Sequence, residues 1–512
     1  MKPSLKKQFQ EKINQFADQS AAFQAGRLDR KTYKGMSGGM GSYAQRDPHL
    51  HMLRLRTVGG CVDLKKLKFI ADAVEKYHVR RLKMTTCQTL QLHDLPAEAL
   101  APLIQSALEH GIVTLGGGGD HPRSVMASPL SGVERGEAFD VLPCAKAASD
   151  YLVSRLPDLH LPRKLKVAFS NSPKNETHVT FRDLGFAAQP DGTFRVFCAG
   201  GLGPNPKLGV CVEEHAAPSQ VLCYIDAMLR VFTAFGNYEN RARARTRYLQ
   251  DTLGPEALRT EFSRALALSR MHTPVVSLTV PTLQKQPDGE AFGERVIAQK
   301  QPGLYAVSYH PAGGHLPPEI PGALCVALAG TSHTQVRIGP DGTLYVINLT
   351  GREVPAVLRA TEEGAVTAFE RSVSCVGASV CQQGVGDSQK LLAAMLEAVQ
   401  PWHFPDGVLP TVRISGCPSS CGCHQVGSLG FAGSVKMIGQ TARPAFTLYA
   451  GGRERLGQEC FGEKLGVLLE EDIPAFMIRL GQTVQASDMT YDRWAESHRE
   501  ELNALAAAFT RG

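Results

Sequence analysis

Residues 415–433 read SGCPSSCGCHQVGSLGFAG, and residues 170–188 read SNSPKNETHVTFRDLGFAA. When position 170 is placed on position 415, both segments begin with Ser, carry Pro at the fourth place and reach Leu-Gly-Phe-Ala near their ends. The later copy has cysteines that the earlier one lacks: Cys417 aligns with Ser172 and Cys421 with Glu176. One segment therefore occurs twice, and only one copy carries these thiols, which are good ligands for soft metals.

The repetition extends to the segments that precede these two. From Met52 the apolar pattern predicts strand, helix, strand, strand and helix, which is the ferredoxin-like order. Moving position 60 onto 314 superposes residues 82–84 on 336–338 and residues 92–95 on 346–349, and moving 123 onto 371 matches Arg-Ser-Val in both places. We expect an internally duplicated chain of mixed α/β (α+β) class, with two ferredoxin-like half-domains that are each followed by a larger unit, packed about a pseudo-two-fold axis.

These patterns and a Pro-rich polar stretch between the halves predict the boundaries of the units. The predicted units are an N-terminal extension (1–45), a first ferredoxin-like half-domain (46–115), a first larger unit (116–270), a connector (271–302), a second half-domain (303–366) and a second larger unit (367–512).

Composition places the chain among ordinary soluble proteins. It has 512 residues, 43% hydrophobic and 20% charged, and no apolar run long enough for a membrane span. The N-terminal segment has lysines but no apolar stretch behind them, so we expect a cytoplasmic protein. Thirteen cysteines in that reducing compartment favour metal ligands over a disulfide framework. A net charge of +6 is too weak to indicate nucleic acid, but it suits small anions or an acidic protein partner.

Two cysteine pairs form the strongest motif. Cys375 and Cys381 are spaced C-x5-C, and Cys417 and Cys421 are spaced C-x3-C. Four thiolates from two loops suit a 4Fe-4S cluster, in which each iron takes one sulfur ligand. Structural zinc is the alternative, although zinc sites favour C-x2-C pairs or mixtures with His. Cys423 is a fifth and weaker candidate.

Basic residues recur in the first half. Arg54 and Arg56 are two apart on a predicted strand, Lys164 and Lys166 are two apart in LPRKLKV, and Arg123 follows a run of glycines. Each pair alone is more often a solvated strand face than an active site. A further arginine series is predicted to lie on two faces of a helix, where it either reaches a ligand or forms a solvated surface: Arg241, Arg243, Arg245 and Arg247.

With these motifs the chain resembles the sirohaem-containing sulfite and nitrite reductases, from about Gly41 to the C-terminal region. The most specific feature is C-x5-C followed by G-C-P-x-x-C-G. The resemblance implies that the larger units are sulfite/nitrite reductase domains and that Cys375, Cys381, Cys417 and Cys421 hold a 4Fe-4S cluster. It also implies that the last of these thiolates binds the sirohaem iron.

The resemblance implies two further groups of site residues in the first half. The catalytic group, which faces the open side of the haem iron, is Arg54, Arg123, Lys164 and Lys166. The group that lines sirohaem is Arg56, Lys83, Thr85, Gln91, Arg163, Gly200 and Gly201. The chain departs from the family at Cys87, where Arg is usual.

Lys166 decides the expected substrate. Relatives that reduce sulfite tend to have Lys at this place and those that reduce nitrite tend to have Asn, so the resemblance favours six-electron reduction of sulfite to sulfide. Nitrite reduction to ammonia is the alternative. A second alternative is a non-catalytic iron-sulfur sensor or scaffold, and a third is a zinc-stabilised binding module. No dinucleotide-binding motif is apparent, so we expect electrons from a separate ferredoxin or flavoprotein.

Overall fold

The computed structural model describes residues 3–279 and 283–510. Residues 1–2, 280–282 and 511–512, which belong to the predicted extension, connector and last unit, lie outside the described residues. No helix within the described ranges is both long and apolar enough to cross a bilayer.

The first half begins with two helices, α1 (Pro3–Gln24) and α2 (Arg30–Gly39). The elements of the small unit that follows are β1 (Ser42–Ala44), β2 (Leu50–Leu55), β3 (Cys61–Val62), α3 (Leu64–Lys76), β4 (Leu82–Met84), β5 (Leu90–Pro96) and α4 (Ala97–Glu109). Those of the larger unit are β6 (Met126–Ala127), α5 (Leu142–Arg155), β7 (Val167–Ser170), β8 (Leu184–Ala188), β9 (Phe194–Cys198), β10 (Val210–Ala216), α6 (Val221–Phe235), α7 (Leu249–Thr252) and α8 (Pro255–His272).

The second half repeats this order. Its small unit contains β11 (Val296–Ala298), β12 (Leu304–Tyr309), β13 (His315–Leu316), α9 (Ile320–Ala327), β14 (Gln335–Ile338), β15 (Leu344–Thr350) and α10 (Val354–Ala360). Its larger unit contains β16 (Val373–Ser374), α11 (Ser388–Val399), β17 (Val412–Ser415), β18 (Leu429–Ile438), β19 (Thr441–Ala450), β20 (Glu463–Leu469), α12 (Ile473–Ala486), α13 (Tyr491–Ser497) and α14 (Arg499–Thr510).

The duplicated mixed α/β fold predicted from the sequence is confirmed. A shift of 254 positions carries β1 onto β11, β2 onto β12, β3 onto β13 and β5 onto β15 with identical bounds (50–55 onto 304–309, for example). The shift of 248 predicted from the two Arg-Ser-Val segments, at 123–125 and 371–373, is wrong by one residue. Met126 pairs with Ala168 as Val373 pairs with Arg413, so position 126 corresponds to 373, and Arg123 does not correspond to Arg371.

The two small units exchange strands. The first sheet has the order β1-β2-β5-β4-β13 and the second has β11-β12-β15-β14-β3, so each contains a two-residue strand from the other half. Leu82 and Lys83 pair with Leu316 and His315 in this exchange. The two halves are therefore joined through the backbone hydrogen bonds of both sheets.

The N-terminal helices belong to the same core as these sheets. Phe9, Ile13 and Phe16 of α1 are at most 2% exposed and pack with the apolar side chains of the small units. Tyr33 of α2 stacks on Phe23, with ring centroids 4.1 Å apart.

Each larger unit is a five-stranded sheet with three parallel strands followed by antiparallel ones, in the orders β6-β7-β8-β9-β10 and β16-β17-β18-β19-β20. Carboxyl ends of neighbouring parallel strands meet at one edge of a sheet. The loops that follow β6 and β7 therefore lie together, as do those that follow β16 and β17.

Candidate active site

The cysteine loops lie at the carboxyl edge of the second larger sheet. Ser374 of β16 pairs with Ile414 of β17, and the next residues along these strands lead directly to Cys375 and to Gly416-Cys417. The Cys375 sulfur accepts a hydrogen bond from the Gly416 amide at 3.1 Å and lies 3.1 Å from the Ser388 hydroxyl at the start of α11. These contacts fix the Cys375 sulfur beside the N-terminus of α11.

The four thiols lie near one another without converging on one point. Burial raises the pKa of Cys381, and the nearby Cys375 and Cys417 thiols add to this effect. Within the described ranges no three His, Cys, Asp or Glu side chains are close enough to share one metal ion. A tetrahedral zinc would need sulfurs about 3.8 Å apart. A 4Fe-4S cluster does not need its four thiols on one ion, because each sulfur binds a different iron.

A row of polar residues crosses one face of the first small sheet. Gln91 of β5 is paired with Arg54 of β2 on one side and with Lys83 of β4 on the other, so the three side chains share a face. Lys83 is 4% exposed and its ammonium donates to the Gly313 carbonyl. Burial lowers the pKa of Lys83 to about 7.

Three arginines surround the glycine loop that precedes β6. Arg54 donates to the Gly117 carbonyl, and Arg56, one residue past β2, donates to Leu115 O at 2.7 Å. Arg123 donates to the carbonyls of Gly118 and Gly119 at 2.6 and 2.8 Å. Burial, with Arg54 as the next cause, lowers the pKa of Arg56 to about 10 and that of Arg123 to about 9.

Lys164 and Lys166 extend this group of cations. The Arg123 amide donates to Leu165 O at 2.8 Å, which places Arg123 beside the lysine segment. Burial lowers the pKa of Lys164 well below its ordinary value, and Arg245, Lys166 and Arg123 lower it further.

These cations have no carboxylate partner among the described residues. In the part of the chain that the structure describes, no ion pair joins a carboxylate to any of Arg54, Arg56, Arg123, Lys164 and Lys166. Grouped cations without protein carboxylates fit a ligand that supplies negative charge, such as a polycarboxylate cofactor with an anionic substrate.

The cations and the cysteines face each other across the two halves. The Thr86 hydroxyl donates to the Cys421 carbonyl oxygen at 2.8 Å. Burial and the other thiols raise the pKa of Cys421 to about 12, whereas Lys164 and Lys166 lower it. The Cys421 side chain is nevertheless exposed by accessible surface.

The other predicted site residues have separate positions. Thr85 makes a hydroxyl contact of 2.7 Å with Thr89 and accepts from the Cys87 amide, so it shapes the turn after β4. Arg163 forms an ion pair of 2.9 Å with Asp120. A Cβ on Gly200 would lie 2.9 Å from Arg182 O, and one on Gly201 would lie 3.5 Å from the Arg247 side chain.

The arginine series near residue 245 is not a helix, and this prediction was wrong. The segment forms two short 3-10 turns, Arg241–Arg243 and Thr246–Tyr248. Arg241 binds Asp120 at 2.8 Å and Arg245 binds Asp183 at 3.0 Å. These separate tertiary ion pairs override the local helix preference.

The earlier copy of the cluster loop contains a polar network in place of thiols. The shift is 247 for the loop after β16 and 245 for the loop after β17. At these shifts Cys375 and Cys381 correspond to Ser128 and Glu134, and Cys417 and Cys421 correspond to Ser172 and Glu176. Glu134 accepts from Lys174 at 2.5 Å and from Asn171 at 3.0 Å. Ion pairs and hydrogen bonds therefore occupy the place that the four cysteines have in the other half.

Sequence reasoning missed His178 and Glu454, which join the two halves across the pseudo-axis. His178 and Cys423 are equivalent at the shift of 245, and both have a left-handed backbone (φ 59° and 60°). His178 Nε2 lies 2.6 Å from a Glu454 oxygen, to which Arg413 also donates at 2.8 Å. Isolated carboxylates outside a motif carry no spacing signal, so the sequence offered no indication of Glu454.

Cys87, the departure from the family, lies beside the cations. Burial alone would raise its pKa, but Lys166 and Arg182 outweigh burial and lower the pKa to about 7. Arg182 was also not predicted, and it donates to the Thr177 carbonyl at 2.8 Å.

Comparison with known proteins agrees with this arrangement. Residues 118–268 match the family model of the nitrite and sulphite reductase 4Fe-4S domain, and residues 43–110 match that of the nitrite/sulfite reductase ferredoxin-like half domain. The ferredoxin–nitrite reductase of Synechococcus elongatus is 27% identical over 457 residues, which cover 85% of this chain and 86% of the relative.

Two further relatives extend the comparison. The sulfite reductase [NADPH] hemoprotein beta-component of Geobacillus kaustophilus is 25% identical over 510 residues, with 86% of each chain covered. The solved structure of Mycobacterium tuberculosis NirA shares the fold, with a TM-score of 0.78, 22% identity and coverage of 93% of this chain and 92% of that one. Residues 43–110 and 118–268 thus carry the two domain types of the nitrite and sulfite reductases, and the chain is an oxidoreductase of that kind, with sirohaem and a 4Fe-4S cluster as its cofactors.

Proposed function

We propose that this enzyme reduces sulfite to sulfide by six electrons, with nitrite reduction to ammonia as the alternative on the same site. The observation that carries the proposal is the position of Lys164 and Lys166, which lie opposite Cys421 and pair with no carboxylate in the described ranges. An additional ammonium favours the more highly charged anion, and sulfite carries up to two negative charges near neutral pH whereas nitrite carries one.

The cysteines would hold the cluster and the iron of the sirohaem. The 4Fe-4S cluster would be bound by Cys375, Cys381, Cys417 and Cys421. Cys421, which lies near the two lysines, would also bind the haem iron. When bound, these groups would pass electrons from the donor protein to the anion.

The cations have two roles in this proposal. Arg54, Arg123, Lys164 and Lys166 offset the charge of the bound anion and stabilise negative charge on oxygen as its bonds to sulfur or nitrogen break. Lys164, whose pKa is lowered, gives up a proton more readily than an exposed lysine does and would donate protons to the departing oxygen. Arg56, Lys83, Thr85, Gln91, Arg163, Gly200 and Gly201 would line the sirohaem.

Electrons would come from a separate ferredoxin or flavoprotein. The relatives named above are a ferredoxin-dependent and an NADPH-dependent enzyme, and both names imply an external source of electrons. The net charge of +6 suits an acidic donor.

The test is an anaerobic optical titration of the holoenzyme with sulfite and with nitrite, followed by turnover with a reduced viologen dye. We expect haem bands that shift with both anions, tighter binding of sulfite and formation of sulfide. Turnover of nitrite without turnover of sulfite would favour the alternative. Iron-sulfur absorption without haem bands would support the sensor or scaffold.

A further inference from the structure

We propose that Asp183 is a positioning residue of the anion pocket, which holds Lys166 and Arg245 at their places around the bound anion. This inference rests on the function proposed above. Asp183 is fully buried and lies just before β8, whose neighbour β7 begins directly after the lysine segment.

Both carboxylate oxygens of Asp183 are used by the pocket. One accepts from the Lys166 amide at 2.7 Å and from Arg245 Nη2 at 3.0 Å. The other accepts from the same Arg245 nitrogen at 3.1 Å and from the Thr246 hydroxyl. One side chain thus joins the lysine segment to the segment that carries Arg245.

The backbone around Asp183 extends this connection to the predicted sirohaem-lining glycines. The Asp183 carbonyl accepts from the Ala199 amide at 2.9 Å, and the preceding carbonyl accepts from the Gly200 amide at 2.9 Å. A shift of Asp183 would therefore move the lysine segment, Arg245 and this loop together.

Arg245 still has a donor for a ligand. Its side chain is 15% exposed, and its Nε is buried without a hydrogen-bond partner in the described part of the chain. Among the charged groups around Lys164, Arg245 lowers the pKa of this lysine the most. Like charges at such short range repel, so they keep their places only where a fixed group such as Asp183 holds them.

The charge of Asp183 and its positioning role predict opposite effects on anion binding when the carboxylate is removed. Asp183→Asn deletes a negative charge close to an anion site, and Coulomb's law alone predicts tighter anion binding. Loss of the Arg245 bridge instead lets the cations spread apart, which predicts weaker binding. The direction of the change therefore separates a positioning role from simple electrostatics.

The matched control is Asp226→Asn. Asp226 is 6% exposed and accepts from Arg230 at 2.6 Å, from Tyr151 at 2.8 Å and from the Ser269 hydroxyl at 2.8 Å. It is also a buried carboxylate bound to an arginine and a hydroxyl group, but it lies on α6 in the core of the first larger unit. Both variants lose a buried ion pair, and only one loses it at the pocket.

The experiment is optical titration of each holoenzyme with sulfite, together with thermal unfolding. We expect D183N to raise the sulfite Kd by about tenfold, as removal of a supporting partner commonly does. D226N should lower the Tm and leave the Kd unchanged. A Kd for D183N equal to or below that of the wild type would overturn the inference. If the wild type itself bound neither sulfite nor nitrite, the proposed function would fail instead.

If D183N does not bind sirohaem, a second variant tests the same inference. Arg245→Lys keeps the charge but cannot span both oxygens of Asp183. We expect the same rise in Kd for R245K, and an unchanged Kd would contradict the positioning role.

Discussion

Lys166 is the single residue on which the choice between sulfite and nitrite depends most. We predict that Lys166→Asn raises the Kd of sulfite by about tenfold and that of nitrite by about threefold, because the lost ammonium interacts more strongly with the more highly charged anion. Optical titration of the holoenzyme with each anion measures both values.

Lys68→Asn is the control for loss of one positive charge. Lys68 lies on α3 with its side chain 72% exposed, and salt screens the interactions of such an exposed charge. An equal loss of affinity for both anions in K166N would show that Lys166 does not discriminate between them.

Glu176 occupies the position equivalent to Cys421 and makes stability depend on pH. Burial raises its pKa to about 8, with Asp341 and Glu134 as further causes. Between the ordinary pKa of 4.5 and pH 8 the unfolded chain releases this proton while the folded protein keeps it. Folding stability therefore falls as pH rises through this window and is constant above it with respect to this group.

We predict that Glu176→Gln removes this loss, because glutamine has no proton to release. At pH 8 the variant should be more stable than the wild type by on the order of 2 kcal/mol, and near pH 4.5 the two should be similar. The Tm of both proteins at a series of pH values tests this. The exposed Glu500 provides the control as Glu500→Gln, and parallel curves for wild type and E176Q would contradict the prediction.

At the scale of elements, the N-terminal helices support the loop that carries Arg123. A Cβ on Gly118 would lie 2.5 Å from the Gly38 carbonyl of α2 and 2.6 Å from the Tyr43 hydroxyl. The Gly119 amide donates to this same hydroxyl at 2.6 Å. We predict that Gly118→Ala displaces the loop and raises the sulfite Kd at least tenfold, as measured by optical titration.

Gly35→Ala is the matched control, since a Cβ at Gly35 meets no atom within 4 Å. Alanine should stabilise α2 there by up to about 1 kcal/mol and leave anion binding unchanged. Unchanged binding in G118A would mean that the glycine loop does not position Arg123.

Elements repeated along the chain were predictable because repetition is visible locally. After the shift of 254, β2 has the same bounds as β12, and β5 has the same bounds as β15. The exchange of β3 and β13 was not predictable, because two-residue strands carry no periodic signal and their partners are distant in sequence. The cysteine loops could be proposed as ligands from their spacing, whereas Asp183 and Glu454 act through tertiary contacts that no local pattern encodes.

At the scale of the whole molecule, two of the several connections between the halves bear directly on stability. One is the exchange of β3 and β13 between the small sheets. The other is a clasp in the larger units, where Glu454 of the second half binds His178 of the first and Arg413 of its own half. The Asn175 amide group also donates to the Glu454 carbonyl at 2.7 Å, which ties the polar loop of one half to the other half.

We predict that Glu454→Gln lowers the stability of the whole molecule by about 2–3 kcal/mol. Arg413 is 10% exposed and His178 is 1% exposed, so both lose the carboxylate in a poorly solvated place, where breaking an ion pair costs most. Glu463→Gln is the control, because Glu463 is 76% exposed in its pair with Arg499 and such pairs contribute about 0–1 kcal/mol. Thermal unfolding of both holoenzymes measures the difference. Equal Tm values would show that the ion pairs of Glu454 do not help to join the halves, whereas a single transition at lower temperature in E454Q would show that the clasp contributes to one cooperative unit.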